Sequence, residues 1–231
     1  MFFKRLFEPW PSLVVEETRL GSDAPAVHPQ EAAQMEKAVP ARRIEFATAR
    51  WCARRALARL RGSVREAEAF ALLNGPDRAP RWPIGVVGSI THTGRAPGGY
   101  CGVVVGSSAE VQAVGLDAEQ AAPLNPDLWP SLLTFREKGL LSRLAPAEAG
   151  RLGMVIFSAK ESFYKVQFPL SRRFLAFGDV EIALDPSSSS FEASLAEGAP
   201  KDLPLSRCRG RYLVEDDFVF TAIALKAGEG P

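Results

Sequence analysis

Apolar residues recur at helical spacing along PARRIEFATARWCARRALARLR, Pro40 to Arg61, where Phe46, Ala49, Ala53, Leu57 and Leu60 form one stripe. The pattern predicts a helix, with Pro40 near its start, where a missing N–H is harmless. At about 100° per residue, Arg43, Arg50, Arg54 and Arg61 fall in a narrow arc beside that stripe. A loop rich in turn formers follows, from Asn74 to Gly85, and then the period changes. VVGSITH, YCGVVVG and VQAVGLD are short, valine-rich and punctuated by glycine, and they predict strands with a turn at Gly106 to Ala109. The stretch AAPLNPDLWP, residues 121–130, reads as a connection between halves. A helical patch, LLTFREKGLLSRL, precedes a helix carrying FSAKESFYK at residues 157–165, which Pro169 should end or kink. Beyond it FGDVEIAL, FEASLAE, GRYLVE and DFVFTAIAL predict strands, and the serine run after Pro186 reads as a solvated turn.

Each half thus offers a helix and roughly three strands, although no sequence repeat is visible. With 46% apolar and 24% charged residues in a chain of 231, the composition is that of a globular protein with a substantial core. Basic and acidic residues, 28 and 27, nearly cancel, so any anion site must be a local cluster rather than a property of the whole surface. Cys52, Cys101 and Cys208 fit neither a disulfide framework nor a zinc motif, and the reading is a reducing cytoplasm. The start is apolar only in pieces broken by Lys4, Arg5 and Glu8, which fits neither a signal peptide nor a membrane span.

Four features could carry chemistry. Glu161 and Lys165 lie four apart, on the helix face that also bears Phe157, Tyr164 and Phe168. An ordinary surface ion pair is one reading, and a carboxylate kept among aromatics for a function is the other, because such burial is costly without a cation. Asp117 and Glu119 alternate in an extended run, so both side chains leave the same face; together they suit a hard divalent ion or a solvated turn. His92 ends an apolar run before the glycine-rich TGRAPGG, a position for a structural or a functional imidazole; GSITH lacks the serine-hydrolase elbow. The arginine arc of residues 43–61 lies next to a buried stripe, and its concentrated charge suits one small anion such as phosphate, although a solvated face or a nucleic-acid surface is also open.

In combination, RRIEFATAR, RAPRWPIGVVGSITH, VGLDAE and FSAKESFYK, spread over residues 40 to 170, resemble the phosphopantetheinyl transferases of the surfactin and enterobactin synthase type. The resemblance implies transfer of the phosphopantetheine arm of coenzyme A to a serine of an acyl or peptidyl carrier protein, with release of adenosine 3′,5′-bisphosphate. It implies that Asp117, Glu119 and Glu161 bind magnesium, with manganese as an alternative, and that Glu161 is the base for the serine hydroxyl. It further implies that His92 and Lys165 hold pyrophosphate oxygens with Thr91 and Lys160 nearby, and that Arg42, Arg50 and Arg78 grip the 3′-phosphate of coenzyme A. The expected fold is α/β (α+β): two pseudo-symmetric subdomains, residues 1–112 and 113–231, each a helix on a small antiparallel sheet, with the active site in the cleft between them. A monomer is expected, in the cytoplasm, with carrier proteins and coenzyme A as partners and without nucleic acid or membrane. The rival readings are a magnesium-dependent nucleotide pyrophosphohydrolase and a non-catalytic nucleic-acid-binding module built on the arginine helix.

Overall fold

The computed structural model describes residues 1–228; the last three residues of the expected second half lie outside the described residues. The predicted arginine-rich helix is α3, Pro40–Arg61, preceded by α1, Phe2–Leu6, and α2, Pro29–Gln34, and followed by α4, Val64–Ala69. Gly62 stops α3 by taking a left-handed conformation at φ 69°, which costs a glycine little. The helix covers an antiparallel sheet of order β1-β3-β2, made of Val14–Arg19, Tyr100–Ser107 and Val86–Thr93. Its small inner residues, Ala49, Cys52, Ala53 and Ala56, let the helix lie close to Cys101, Val103 and Val105 of β3.

The second half is a sheet of order β4-β8-β7-β6-β5. Its strands are Val111–Gln120, Phe218–Lys226, Arg207–Glu215, Ser190–Leu195 and Val180–Asp185, all paired antiparallel. The second long helix is α7, Pro146–Ser171, which buries Val155, Ile156, Ala159, Phe163 and Val166 against this sheet. Pro169 lies within its last turn, where it removes only one hydrogen bond; the helix ends two residues later, with Arg172 left-handed at φ 55°. The connection between the halves holds α5, Trp129–Leu132, and α6, Phe135–Leu141.

The outcome is the expected α+β architecture of helices and two antiparallel sheets, but unequal ones, of three and five strands. The expected division after residue 112 falls just inside β4. Neither β1 nor α1 is signalled by periodicity. All but one residue of VVEETR are half-buried, so the strand shows no apolar alternation, and it is held by its register on β3, Val14 opposite Val105 through Arg19 opposite Tyr100. In α1, Phe3 and Leu6 enter a third apolar cluster with Tyr100, Val104, Val114, Leu116 and Phe220, which joins the two sheets. Phe3 lies edge-on to Phe220 with ring centroids 5.3 Å apart.

Candidate active site

The two halves meet along β2 and β4. Every second residue of β2 presents a hydroxyl to β4: Leu116 N donates to Ser89 Oγ (3.3 Å), Ala118 N to Thr91 Oγ1 (3.1 Å), and Thr93 Oγ1 donates to Glu119 Oε2 (3.2 Å). Strand alternation therefore sets Asp117 and Glu119 on one face of β4, as the spacing predicted. Gly115 allows α7 to come down on this strand, since a Cβ there would strike the carbonyl oxygen of Ser162 and Val166. That approach lets Lys165 Nζ donate to Leu116 O (3.0 Å) and to Asp117 Oδ1 (2.8 Å).

Asp117, Glu119, Glu161 and Lys165 all line one cavity of about 320 Å³. Its other wall belongs to the first half and holds Arg42, Arg50, Arg78, Thr91 and His92. Nine of the ten site residues that the resemblance implies thereby border one space. Glu161 and Lys165 also border a larger cleft of about 820 Å³, between the 76–82 loop and the C-terminal half of α7. Glu161 borders a third, narrower space of about 190 Å³ with Tyr164, Phe174 and Phe177.

The electrostatics divide along the same line. Burial, then the neighbouring Asp117, pushes the Glu119 carboxyl up to about 7. Glu161 is also raised, by burial first, while Lys165 opposes the rise. On the opposite wall burial, then Arg42, lowers His92 to about 4, so its ring is neutral near pH 7. Its Nε2 faces Arg42 Nη1 at 2.6 Å, and its Nδ1 lies 3.5 Å from Glu45 Oε2. A neutral ring can meet both neighbours by accepting from Arg42 at Nε2 and directing Nδ1–H toward Glu45. Arg50, lowered to about 10 by burial, donates to Leu72 O (2.7 Å) and Asn74 Oδ1 (2.6 Å), with its guanidinium carbon 4.0 Å from the centre of the Phe46 ring. Arg78 has φ 63°, unusual for a non-glycine residue, in the tight turn closed by Arg78 N to Gly75 O at 2.9 Å.

A wall of cations facing three carboxylates and a lysine, at the joint of two helix-on-sheet halves, is the arrangement that the four motifs suggest. Models of the 4′-phosphopantetheinyl transferase N-terminal domain and of the 4′-phosphopantetheinyl transferase superfamily match residues 30–106 and 113–219. The chain is 39% identical over 232 residues to the 4′-phosphopantetheinyl transferase Svp of Streptomyces mobaraensis, covering 95% of this chain and 89% of that one. It is 37% identical to PptT of Mycobacterium tuberculosis over 93% of this chain and 95% of that one, and 34% identical to Npt of Nocardia iowensis over 85% and 88%. Both relatives carry the same description. The chain belongs to the 4′-phosphopantetheinyl transferase family.

One expected residue of this transferase is not in the shared cavity. Lys160 is the neighbour of Glu161 on a helix, so it leaves the axis about 100° away and enters the core of the second half. There its ammonium donates to Glu137 Oε2 (2.7 Å), Leu132 O (2.9 Å) and Phe177 O (2.9 Å), and burial lowers its pKa. The arginine arc is also largely spent on structure. Arg43 holds Ala38 O and Glu36 O, Arg54 holds the buried Glu31, and Arg61 holds Ile84 O. The shared cavity takes Arg42, which lies off the predicted arc, and Arg50 from α3.

Among the described residues no group of three His, Cys, Asp or Glu stands in metal-ligating arrangement. Lys165 is the cation on Asp117. The donor set nonetheless suits a hard divalent ion: three carboxylates border one cavity, and two of them are held above their ordinary range by burial, with Asp117 raising both further. Sequence reasoning missed Glu45, Glu137 and Thr221. Local spacing could have flagged two of them, since Glu45 pairs with Arg42 three residues earlier and Glu137 closes a capping box with Thr134, whereas His92, Lys160 and the partners of Thr221 reach them from distant segments. Asn74 stands in the predicted turn, but its grip on Arg50 needs the fold.

Proposed function

We propose that this transferase moves the phosphopantetheine arm of coenzyme A onto a serine hydroxyl of an acyl or peptidyl carrier protein, releasing adenosine 3′,5′-bisphosphate. The observation that carries this reading is the opposition, across one cavity, of the Asp117, Glu119, Glu161 and Lys165 wall to the Arg42, Arg50, Arg78 and His92 wall. A dianionic pyrophosphate linked to a 3′-phosphate needs both: cations for the nucleotide end, and acidic groups where the nucleophile loses its proton. Arg42, Arg50 and Arg78 hold the nucleotide phosphates. His92, neutral, offers hydrogen bonding and keeps Arg42 oriented.

Asp117, Glu119 and Glu161 would hold a magnesium or manganese ion, which when bound neutralises pyrophosphate charge and aligns its oxygens. Glu161 accepts the serine proton, its raised pKa bringing it nearer neutrality and improving it as a base. The serine oxygen bonds to the phosphorus that carries the pantetheine, and the bond from that phosphorus to the bridging oxygen breaks. Lys165 neutralises the charge that arrives on the departing bisphosphate. The single chain completes the cavity, which supports a monomer. Among the described residues no helix is long and apolar enough to cross a membrane.

Incubation with coenzyme A, magnesium and apo-carrier proteins, followed by intact mass, tests the reading. The carrier should gain one phosphopantetheine, and chelation of divalent ions should stop the gain. Phosphopantetheine appearing free in solution with no carrier labelled would instead establish the pyrophosphohydrolase.

A further inference from the structure

The motif FSAKESFYK contains two serines that the proposed chemistry leaves without a part. Both are fully buried, on the side of α7 facing β8, and between them stands Thr221, also fully buried. Ser162 Oγ lies 2.6 Å from Thr221 Oγ1, Thr221 Oγ1 lies 3.0 Å from Ser158 Oγ, and Ser158 Oγ lies 2.8 Å from Asp117 Oδ2. Two backbone carbonyls flank the row: Thr221 Oγ1 is 2.9 Å from Ser158 O, and Ser162 Oγ is 3.2 Å from Thr221 O.

Proton counting fixes the direction of the link that reaches Asp117. A carboxylate oxygen accepts only, so the one hydroxyl hydrogen of Ser158 points at Asp117. Ser158 then has only acceptor capacity left for Thr221, whose hydrogen has three acceptors in reach, Ser158 Oγ, Ser158 O and Ser162 Oγ. The row is continuous in the arrangement in which Ser162 donates to Thr221 and Thr221 to Ser158. The other oxygen of Asp117 takes Thr91 Oγ1 (3.1 Å) and Lys165 Nζ (2.8 Å), and Thr91 in turn accepts from Ala118 N. Asp117 is thus fixed on both oxygens by groups that are themselves fixed. Glu119 has one such side-chain donor, Thr93.

We propose that Ser162, Thr221 and Ser158 form a buried hydroxyl chain whose task is to orient Asp117 as a preset ligand for the divalent ion of the transfer. This rests on the reading of Asp117 as a metal ligand given above. Outer groups of this kind set the direction of a ligating carboxylate, and their loss weakens metal binding about 10- to 100-fold. The three are positioning residues, since none borders the cavity that holds the carboxylates.

The test is a Mn²⁺ titration of the protein with coenzyme A present, with free ion followed by electron paramagnetic resonance. Thermal unfolding serves as a control, and affinity for coenzyme A is measured without metal. Thr221→Val keeps the shape and removes the hydroxyl; it is expected to weaken Mn²⁺ binding at least about 10-fold, to unfold cooperatively, and to bind metal-free coenzyme A as before. Thr221→Ser should restore Mn²⁺ affinity to within about 3-fold of the parent, which a loss of packing alone would not allow. Ser158→Ala, which cuts the last link, should weaken binding at least as much, and it decides the matter should Thr221→Val fail to fold. Parental Mn²⁺ affinity in a folded Thr221→Val or Ser158→Ala variant overturns the hydroxyl chain and leaves the metal reading standing. An unaltered protein that takes up no Mn²⁺ overturns both.

Discussion

Helices α3 and α7 occupy comparable places, each long, each laid on its own sheet and each facing the shared cavity, yet they use their charged residues in opposite ways. The arginines of α3 turn mostly to backbone carbonyls and to Glu31 within their own half, and only Arg42 and Arg50 reach the cavity from it. In α7 a single step along the helix separates Lys160, buried in an ion pair and bordering only the narrowest cavity, from Glu161, which borders all three. The fold gives some of these buried charges a strong partner and withholds one from others. Glu119 and Glu161 have little or no side-chain company and raised pKa values, whereas Glu137 accepts from Lys160, Thr134 N and Ile182 N.

The comparison breaks most sharply at Glu161. Glu161→Gln keeps size and removes the proposed base, so carrier labelling should fall about 10²- to 10⁴-fold, while coenzyme A still binds. Timed intact-mass analysis with calorimetry of coenzyme A separates the two effects. A rate within about 3-fold of the parent would show that the proton leaves by another route. Asp117→Asn should behave alike in turnover, and since it also removes an acceptor from Lys165, Thr91 and Ser158, it should lower stability as well.

Lys160 sharpens the contrast from the structural side. Lys160→Met leaves Glu137 buried without its cation, which should cost about 3–5 kcal/mol in urea denaturation. Adding Glu137→Leu should recover much of that loss, because the unpaired charge, rather than the absent bridge, dominates the cost. Lys165→Ala should show the reverse emphasis, with turnover lost and a smaller loss of stability, because Asp117 is also buried but keeps donors from Thr91 and Ser158. A large stability loss at Lys165 with small loss at Lys160 would exchange their roles.

This pair also marks where the sequence is legible. The two long helices, β2, β3, β4 and the four later strands follow from periodicity and turn residues, because each is amphipathic or buried in a regular way. The carboxylates of β4 and the Glu161–Lys165 face are legible because alternation and helical spacing place neighbours within one segment. Lys160 and the α3 arginines are not, since their direction is decided by carbonyls and carboxylates that arrive from elsewhere, such as Leu132 O, Phe177 O and Ala38 O. Strand β1 fails for a related reason: Glu16 and Glu17 interrupt its apolar pattern, yet Glu17 is held by Tyr100 Oη and Phe3 N, both distant in the chain.

The two walls should also answer pH in opposite senses. Glu119 is raised from 4.5 to about 7, so between these values the folded protein keeps a proton that the unfolded chain has lost, and this contribution to stability disappears as pH rises through 7. His92 is lowered from 6.5 to about 4, so the unfolded chain takes up a proton that the folded one refuses, and stability falls as pH drops from 6.5 toward 4. Each displacement corresponds to about 3 kcal/mol at most. The contributions oppose each other over most of this range. Urea midpoints measured between about pH 4 and 7.5 should therefore vary little from these two groups in the parent. Glu119→Gln should expose the acid-side loss due to His92, and His92→Gln should expose a gain on acidification. Two variants with parallel profiles would refute the division.

The smallest effect is expected at the bridge between Asp77 and Arg172, which spans the larger cleft from the 76–82 loop to the end of α7 at 2.8 Å. It looks like a clasp between the halves, but the Arg172 side chain is 66% exposed, so water and salt screen most of its attraction. The halves are joined more firmly elsewhere: Ser89 and Thr91 bond β4 in buried surroundings, and the aromatic cluster of Phe3, Tyr100 and Phe220 fills the joint. Arg172→Ala should thus change stability by less than about 1 kcal/mol, and the change should shrink further at about 1 M salt. Thr91→Val, which removes the hydroxyl that receives Ala118 N and donates to Asp117, should cost more. If Arg172→Ala proved the more damaging of the two, the halves would be held by their rim rather than by their buried seam, and the cavity between them would be far easier to open than its hydrogen bonds indicate.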